Sequence, residues 1–224
     1  MKHSGRALSS AFKLIFLALL LVGAVTVVAA FVPFVKYIAA PFIGLWVLFT
    51  IFTLYFFRDP DAKVPSTPGI FVAPGHGLVD TIDEIVEPNF MDGRCHRISI
   101  FLSVIDIHVQ PAPAAGKVTY LKSTPGQFVS ALRTDCGDHN EHVLIGFNSS
   151  EQPGEKFAVK LIAGLIARRI VPFVKIGDDV ARGERISLIQ FGSRADLYFP
   201  LHYKITTKIG DKVVGGETVL AIKS

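Results

Sequence analysis

The sequence predicts a mostly β domain carried behind an N-terminal pair of membrane-spanning helices. Three observations lead there: two long uncharged runs within the first 57 residues, short β-type runs punctuated by Gly, Pro and Asp after residue 58, and an internal repeat near the C-terminus. Composition agrees, because 224 residues with 50% apolar and 19% charged content exclude a disordered, collagen-like or disulfide-stapled chain. The net charge of +4 is local. Lys2, Arg6, Lys13 and Lys36 stand in the first 57 residues without an acid, and the 19 Lys and Arg beyond them balance 19 Asp and Glu. The body is electroneutral with no basic stripe to grip phosphates, so nucleic acid is not an expected partner. Two cysteines, Cys95 and Cys136, allow at most one bridge, which fits a reducing compartment.

The elements follow in order. Leu14 to Val32 carries no charge, and after Pro33, Lys36 and Pro41 a second uncharged run reaches Phe57. At about 1.5 Å per residue, roughly 20 residues cross a hydrocarbon core of about 30 Å, so the second run is marginal if its helix begins only after Pro41. A tight transmembrane helical hairpin over residues 1–57 accommodates both runs. Lys2, Arg6 and Lys13 precede it and Arg58 and Lys63 follow it, so the positive-inside tendency places residues 58–224 on the cytoplasmic side of the cell (inner) membrane. A cleaved signal peptide competes with this reading. The first apolar run exceeds the usual h-region of about 7–15 residues, however, and a second run follows at once.

After Phe57, segments 98–104, 117–121 and 142–147 read as β-strands, and 158–170 as a strand pair or a short helix. Residues 175–189 match residues 208–222 at eight of fifteen positions. Each copy has a Gly-Asp turn, an apolar residue, a second Gly turn and then a strand, the way a small β-sandwich turns its corners. The pattern resembles the biotinyl/lipoyl-like barrel-sandwich. Carriers of that fold present a modifiable Lys in a Met-Lys-Met type of setting, which this chain lacks, so the repeat is read as architecture.

Candidate chemical residues are ambiguous one at a time. Gly192-Ser193 is a common turn dipeptide, and His108 is an ordinary strand histidine by position. The stretch from Asp135 to His142 carries metal-type side chains without an established ligand spacing, so no metal site is expected. Asp80, Asp83 and Glu84 read as a solvated acidic turn. Taken in order, however, Tyr55-Phe-Phe-Arg-Asp-Pro60, Ala73-Pro74-x-x-Gly77, Ile100-Phe-Leu-Ser103, Asp106-x-His108, Ala112-Pro-x-x-Gly-Lys-Val118, Asn140-Glu141, Ala163–Ile170 and Leu188-Ile-Gln-Phe-Gly-Ser-Arg194 resemble the phosphatidylserine decarboxylase family in its short membrane-anchored proenzyme form.

That resemblance implies a lyase converting phosphatidylserine in the bilayer to phosphatidylethanolamine. It also implies self-cleavage between Gly192 and Ser193 into two fragments that remain a complex, with a pyruvoyl group formed from Ser193 as the only cofactor. The Ser193 hydroxyl attacks the preceding carbonyl to give an ester, β-elimination leaves dehydroalanine, and its hydrolysis gives the pyruvoyl group whose carbonyl serves as electron sink. His108 is expected to donate the proton to the carbanion or to position the carboxylate. The family's Pro-Ala-Asp-Gly reads Pro74-Gly-His-Gly77 here, so His76 is expected to act as the cleavage base. The Arg or His expected three residues after His108 is Pro111, and the Arg that often follows Asn-Glu is His142. The alternative these departures raise is a processing-deficient, non-enzymatic membrane-tethered β-sandwich that binds a lipid head group or a protein partner.

Overall fold

A computed structural model describes residues 3, 5–32, 36–133, 135–165, 169–190 and 192–224. By contacts the chain divides into a helical unit, Ser4–Asp59, and a β unit, Pro60–Ser224.

The helical unit holds α1 (Arg6–Phe31) and α2 (Lys36–Phe56), two acid-free runs rich in Leu, Val, Phe and Ala. The helices pack on each other, and the Trp46 indole N–H donates to the Ile15 carbonyl at 3.5 Å. Arg6–Phe31 and Ala39–Phe56 are long and apolar enough to cross a membrane. α2 does not wait for Pro41 but starts at Lys36. A proline this near the N-terminus removes one backbone bond in the second turn without ending the helix.

The β unit contains β1 (Ile70–Val72), β2 (Gly77–Glu87), β3 (Gly93–Leu102), β4 (Val109–Pro111), β5 (Gly116–Thr124), the single turn α3 (Cys136–His139), β6 (His142–Ser149), β7 (Lys156–Ala163), β8 (Arg169–Pro172), β9 (Asp179–Val180), β10 (Arg185–Gln190), β11 (Ser193–Phe199), β12 (Tyr203–Ile205), β13 (Lys212–Val213) and β14 (Val219–Lys223). An eight-stranded sheet ordered β13-β2-β3-β11-β7-β6-β5-β9 curls into a half-barrel, and two three-stranded sheets, β1-β14-β12 and β4-β10-β8, complete the unit. The expected mostly β architecture is the one observed. Segment 158–170 resolves as strand: β7 ends at Ala163 and β8 begins at Arg169.

These orders read the same after exchanging β1 with β4, β2 with β5, β3 with β6, β11 with β7, β12 with β8, β13 with β9 and β14 with β10. The β unit is an internal duplication, of which the fifteen-residue repeat is one corner. The hydrogen bonds duplicate as well. Ala73 donates to Thr218 O and accepts from Gly216, while Ala112 donates to Glu184 O and accepts from Gly183. Each long hairpin carries a bulge at the same place, between Val79 and Thr81 in β2 and between Val118 and Tyr120 in β5. The second copy, β4 to β10, is contiguous and sits between β3 and β11 of the first. β11 is therefore where the chain re-enters the first copy.

Alternation along the central strands puts Ile98, Ile100, Leu102, Leu161, Ala195 and Leu197 into one core. The opposite face carries charge. Asp80, Asp83 and Glu84 are not a turn but lie in β2: on that face Asp80 pairs with Arg194 of β11 and Asp83 with Arg97 of β3, while Glu84 and Arg94 of β3 make an exposed pair.

Candidate active site at the Gly192-Ser193 bond

Ser193 opens β11, hydrogen-bonded in register between Leu102 of β3 and Ala163 of β7. The residue is fully buried, and its hydroxyl makes no hydrogen bond among the described residues. A buried hydroxyl without a partner is uncommon and carries a desolvation penalty of about 1–3 kcal/mol, which makes Ser193 stand out from a structural turn serine.

Gly192 has φ +63, in the left-handed region, where any other residue costs roughly 1–2 kcal/mol. The duplication shows why a turn belongs here. Applying the β3/β6 and β11/β7 exchange to the ladders, Gly192-Ser193 falls on Gly154-Glu155, where Gly154 also has positive φ (+84) and closes the β6–β7 hairpin.

His108 holds the Gly192-Ser193 segment from the other side. The Gly192 N–H donates to His108 Nε2 at 3.0 Å, and His108 Nδ1 bonds the Asp106 carbonyl at 2.9 Å. A carbonyl can only accept, so Nδ1 carries the proton, Nε2 offers its lone pair, and the fully buried imidazole is held in one neutral tautomer. The Asp106 carboxylate builds the turn that delivers this ring, accepting from the Ser103 N–H at 2.8 Å and the Ser103 hydroxyl at 2.7 Å. The Asp-x-His spacing is thus a turn followed by a ring.

Gly164 bounds the bond on a third side. A methyl group there would stand 2.5 Å from the Gly192 carbonyl oxygen and 3.1 Å from Ala131 Cβ. Arg194 points to the opposite face, where its guanidinium makes a bidentate pair with Asp80 (2.8 and 2.6 Å) and donates to the Ala131 carbonyl at 3.1 Å. Such a fork fixes both distance and plane.

The phosphatidylserine decarboxylase family model matches residues 49–221, a span containing Ser193, His108 and His76. The phosphatidylserine decarboxylase proenzyme of Desulfotalea psychrophila is 42% identical over 176 residues, covering 79% of this chain and 81% of that relative. The proenzyme of Symbiobacterium thermophilum is 38% identical over 200 residues, covering 89% and 90%. The chain belongs to the phosphatidylserine decarboxylase family.

Within this family member, the positions that depart from the usual pattern take distinct places. His76 lies on the turn entering β2, half-buried, with its ring against Gly215: a methyl group there would stand 3.0 Å from Cδ2 and 3.2 Å from Nε2. It does not hydrogen-bond the Ser193 hydroxyl. Pro111 ends β4, an edge strand, where a missing N–H breaks no central ladder. His142 opens β6 with Nδ1 on the Asn140 carbonyl at 2.9 Å, and burial holds its pKa below the usual histidine value.

Five residues around the site were not legible as such. Asp80 and Arg194 lie 114 positions apart in sequence and pair only because β2 and β11 flank β3. Gly164 has no signature beyond being glycine. Asn140, visible as half of Asn-Glu, accepts from the Val129 N–H and donates to the Val129 and Ala163 carbonyls, tying the 127–133 loop to the end of β7. Asp196, on the Arg194 face of β11, is buried, its pKa raised by desolvation, and it accepts from the Tyr198 hydroxyl at 3.2 Å.

Proposed function

We propose that the chain cuts itself between Gly192 and Ser193 and, with the pyruvoyl group made from Ser193, decarboxylates phosphatidylserine to phosphatidylethanolamine at the membrane. The observation that carries the reading is the Ser193 hydroxyl, buried and without a hydrogen bond among the described residues, directly after a left-handed glycine whose N–H is held by His108.

Cleavage needs only the chain's own atoms. The Ser193 Oγ attacks the Gly192 carbonyl carbon, the bond to the Ser193 nitrogen breaks, and an ester joins the two segments. Removal of the Ser193 Cα proton expels the Gly192 carboxylate. The dehydroalanine left behind takes up water and releases ammonia, giving the pyruvoyl group. Gly192's left-handed backbone, the His108 bond and the wall at Gly164 together fix the carbonyl under attack. His76 is the base assigned to the Ser193 hydroxyl, and its ring must swing from Gly215 toward Ser193 to act. The cut fragments stay together because residues 193–224 supply β11 through β14, which are laddered to β1, β2, β3 and β7 of the larger fragment.

A pyruvoyl carbonyl at position 193 supplies the anchor for the substrate amine and the sink for the electrons left when CO2 departs. His108 has two successive tasks. Before cleavage its Nε2 is occupied by the Gly192 N–H; once the Gly192 end leaves, Nε2 is open to the substrate, to orient its carboxylate or to carry the proton that replaces it. The apolar helices suit a substrate that stays in the bilayer, and the basic residues flanking them support a cytoplasmic position for the β unit.

Ser193→Ala should remain one chain of full length and lose decarboxylation. A cut or active Ala protein overturns the reading. Time courses of freshly synthesised His76→Ala precursor test the base: wild-type cleavage rates return His76 to an ordinary turn residue. A wild-type chain that stays intact and inactive favours the non-enzymatic binder, for which the altered Pro74-Gly-His-Gly77 and Pro111 speak.

A further inference from the structure

The Ser193 hydroxyl has no solvent-accessible surface, yet the loops that seal it end in exposed apolar side chains. Three loops touch at Gly192. Val104 Cγ1 lies 3.5 Å from where a Gly192 methyl would be, and a Gly164 methyl would contact both the Gly192 carbonyl and Ala131. One residue beyond each of these contacts the chain turns an apolar side chain outward: Ile105 is 61% exposed, Leu132 72% and Leu165 63%. Arg133, next to Leu132, is exposed and pairs with the exposed Asp135, and Arg169, which opens β8, is exposed and basic. Apolar tips flanked by arginines are the composition of a segment that sits at the headgroup boundary, tips in acyl chains and guanidiniums among phosphates.

We infer that Ile105, Leu132 and Leu165 form a rim by which the β unit docks on a phospholipid bilayer around the Gly192-Ser193 site, a contact made in addition to that of the helices. This rests on the decarboxylase reading only for its purpose. A lipid substrate reaches a sealed residue without crossing water if the loops that cover that residue are themselves in the bilayer. The same chain carries two apolar helices, the second ending four residues before Pro60, so a bilayer is the large surface within reach of the β unit. Exposure alone does not select the rim. Ile176 is 60% exposed too, but it lies on a repeat turn beside Val118, joined through Phe147 to Phe157 at the far end of β7. Six residues of strand separate that end from Ala163, roughly 20 Å.

The test uses the full-length protein in liposomes of phosphatidylcholine and phosphatidylglycerol. Single cysteines at Ile105→Cys, Leu132→Cys and Leu165→Cys, with Ile176→Cys as the distant control, are labelled with an environment-sensitive fluorophore. The native Cys95 and Cys136 are buried and their thiol pKa values are raised, that of Cys95 to about 11, so they resist labelling. Spin-labelled lipid should quench the three rim labels at least threefold more than the label at 176. Equal quenching at all four positions overturns the rim. The same measurement in a Ser193→Ala background keeps the two readings apart: quenching should persist there although catalysis cannot. Loss of catalytic activity in the wild-type chain with quenching intact would count against the decarboxylase reading and leave the rim standing.

Discussion

Replacing Gly164 by alanine adds one methyl group against the Gly192 carbonyl, the one attacked in the proposed self-cleavage. The new carbon would stand 2.5 Å from the Gly192 oxygen and 3.2 Å from its carbon, while 3.0 Å is about the closest such contact found in proteins. The oxygen must therefore move by roughly 0.5 Å or more. Retreat in the other direction is blocked by Ala131 Cβ at 3.1 Å. Gly164 does not have positive φ, so alanine is tolerated by its own backbone and the strain falls on the neighbour. Overpacking of this kind costs about 1–3 kcal/mol. Since a misplacement of about 1 Å can slow a positioned reaction on the order of a hundredfold, half of that predicts cleavage slowed about tenfold. The assay is a time course of precursor disappearance on denaturing gels after cell-free synthesis, beside a thermal melt of the purified protein. Gly154→Ala is the control: it strains the duplicate glycine at φ +84 with nothing within 4 Å, so it should lower stability by about 1–2 kcal/mol and leave cleavage alone. A folded Gly164→Ala precursor that is cut at the wild-type rate would refute the assignment of Gly164 as a wall of the cleavage site.

His108→Ala should still permit some cleavage but depress turnover by roughly a hundredfold or more, the scale for losing a general acid, as read by decarboxylation per cut protein; full turnover removes His108 from the chemistry. Asp80→Asn leaves the buried Arg194 guanidinium with the Ala131 carbonyl but without its bidentate carboxylate. Breaking such a pair costs about 3–5 kcal/mol, and because the Asp80 side chain is 21% exposed a loss at the lower end is expected by denaturant titration. Asp196 has a pKa raised by burial, so the folded protein holds a proton that the unfolded chain releases as pH rises above the ordinary carboxylate range, and stability contributed by the protonated group falls with rising pH across that window. Asp196→Asn should flatten that slope in melts taken from pH 4 to 7; an unchanged slope contradicts the burial effect.

What was legible in the sequence was what local pattern encodes. The strands around Ile98, Lys117 and His142 announced themselves through alternation and flanking turns, and the helices through their lack of charge. The duplication was legible only at Lys175–Ile189 and Lys208–Ile222, where each copy must make the same two glycine turns. Elsewhere the copies share bulges and ladders but few residues, since any apolar side chain of suitable volume fills a core position. Gly192, Ser193 and His108 were each ambiguous alone and could be named as candidates only through the ordered resemblance to the decarboxylase family. Asp80 was misread as solvated because nothing near it in sequence shows the arginine that arrives on β11 114 residues later. Pairings set by sheet order are not written in local spacing.

Mass spectrometry of the purified, full-length protein tests the central claim most directly. Two species are predicted: a fragment ending at Gly192, and a fragment of residues 193–224 whose N-terminus is blocked by pyruvoyl and resists Edman sequencing until the ketone is converted to an amine. A single intact chain, or a small fragment beginning with an unmodified serine, would contradict the account.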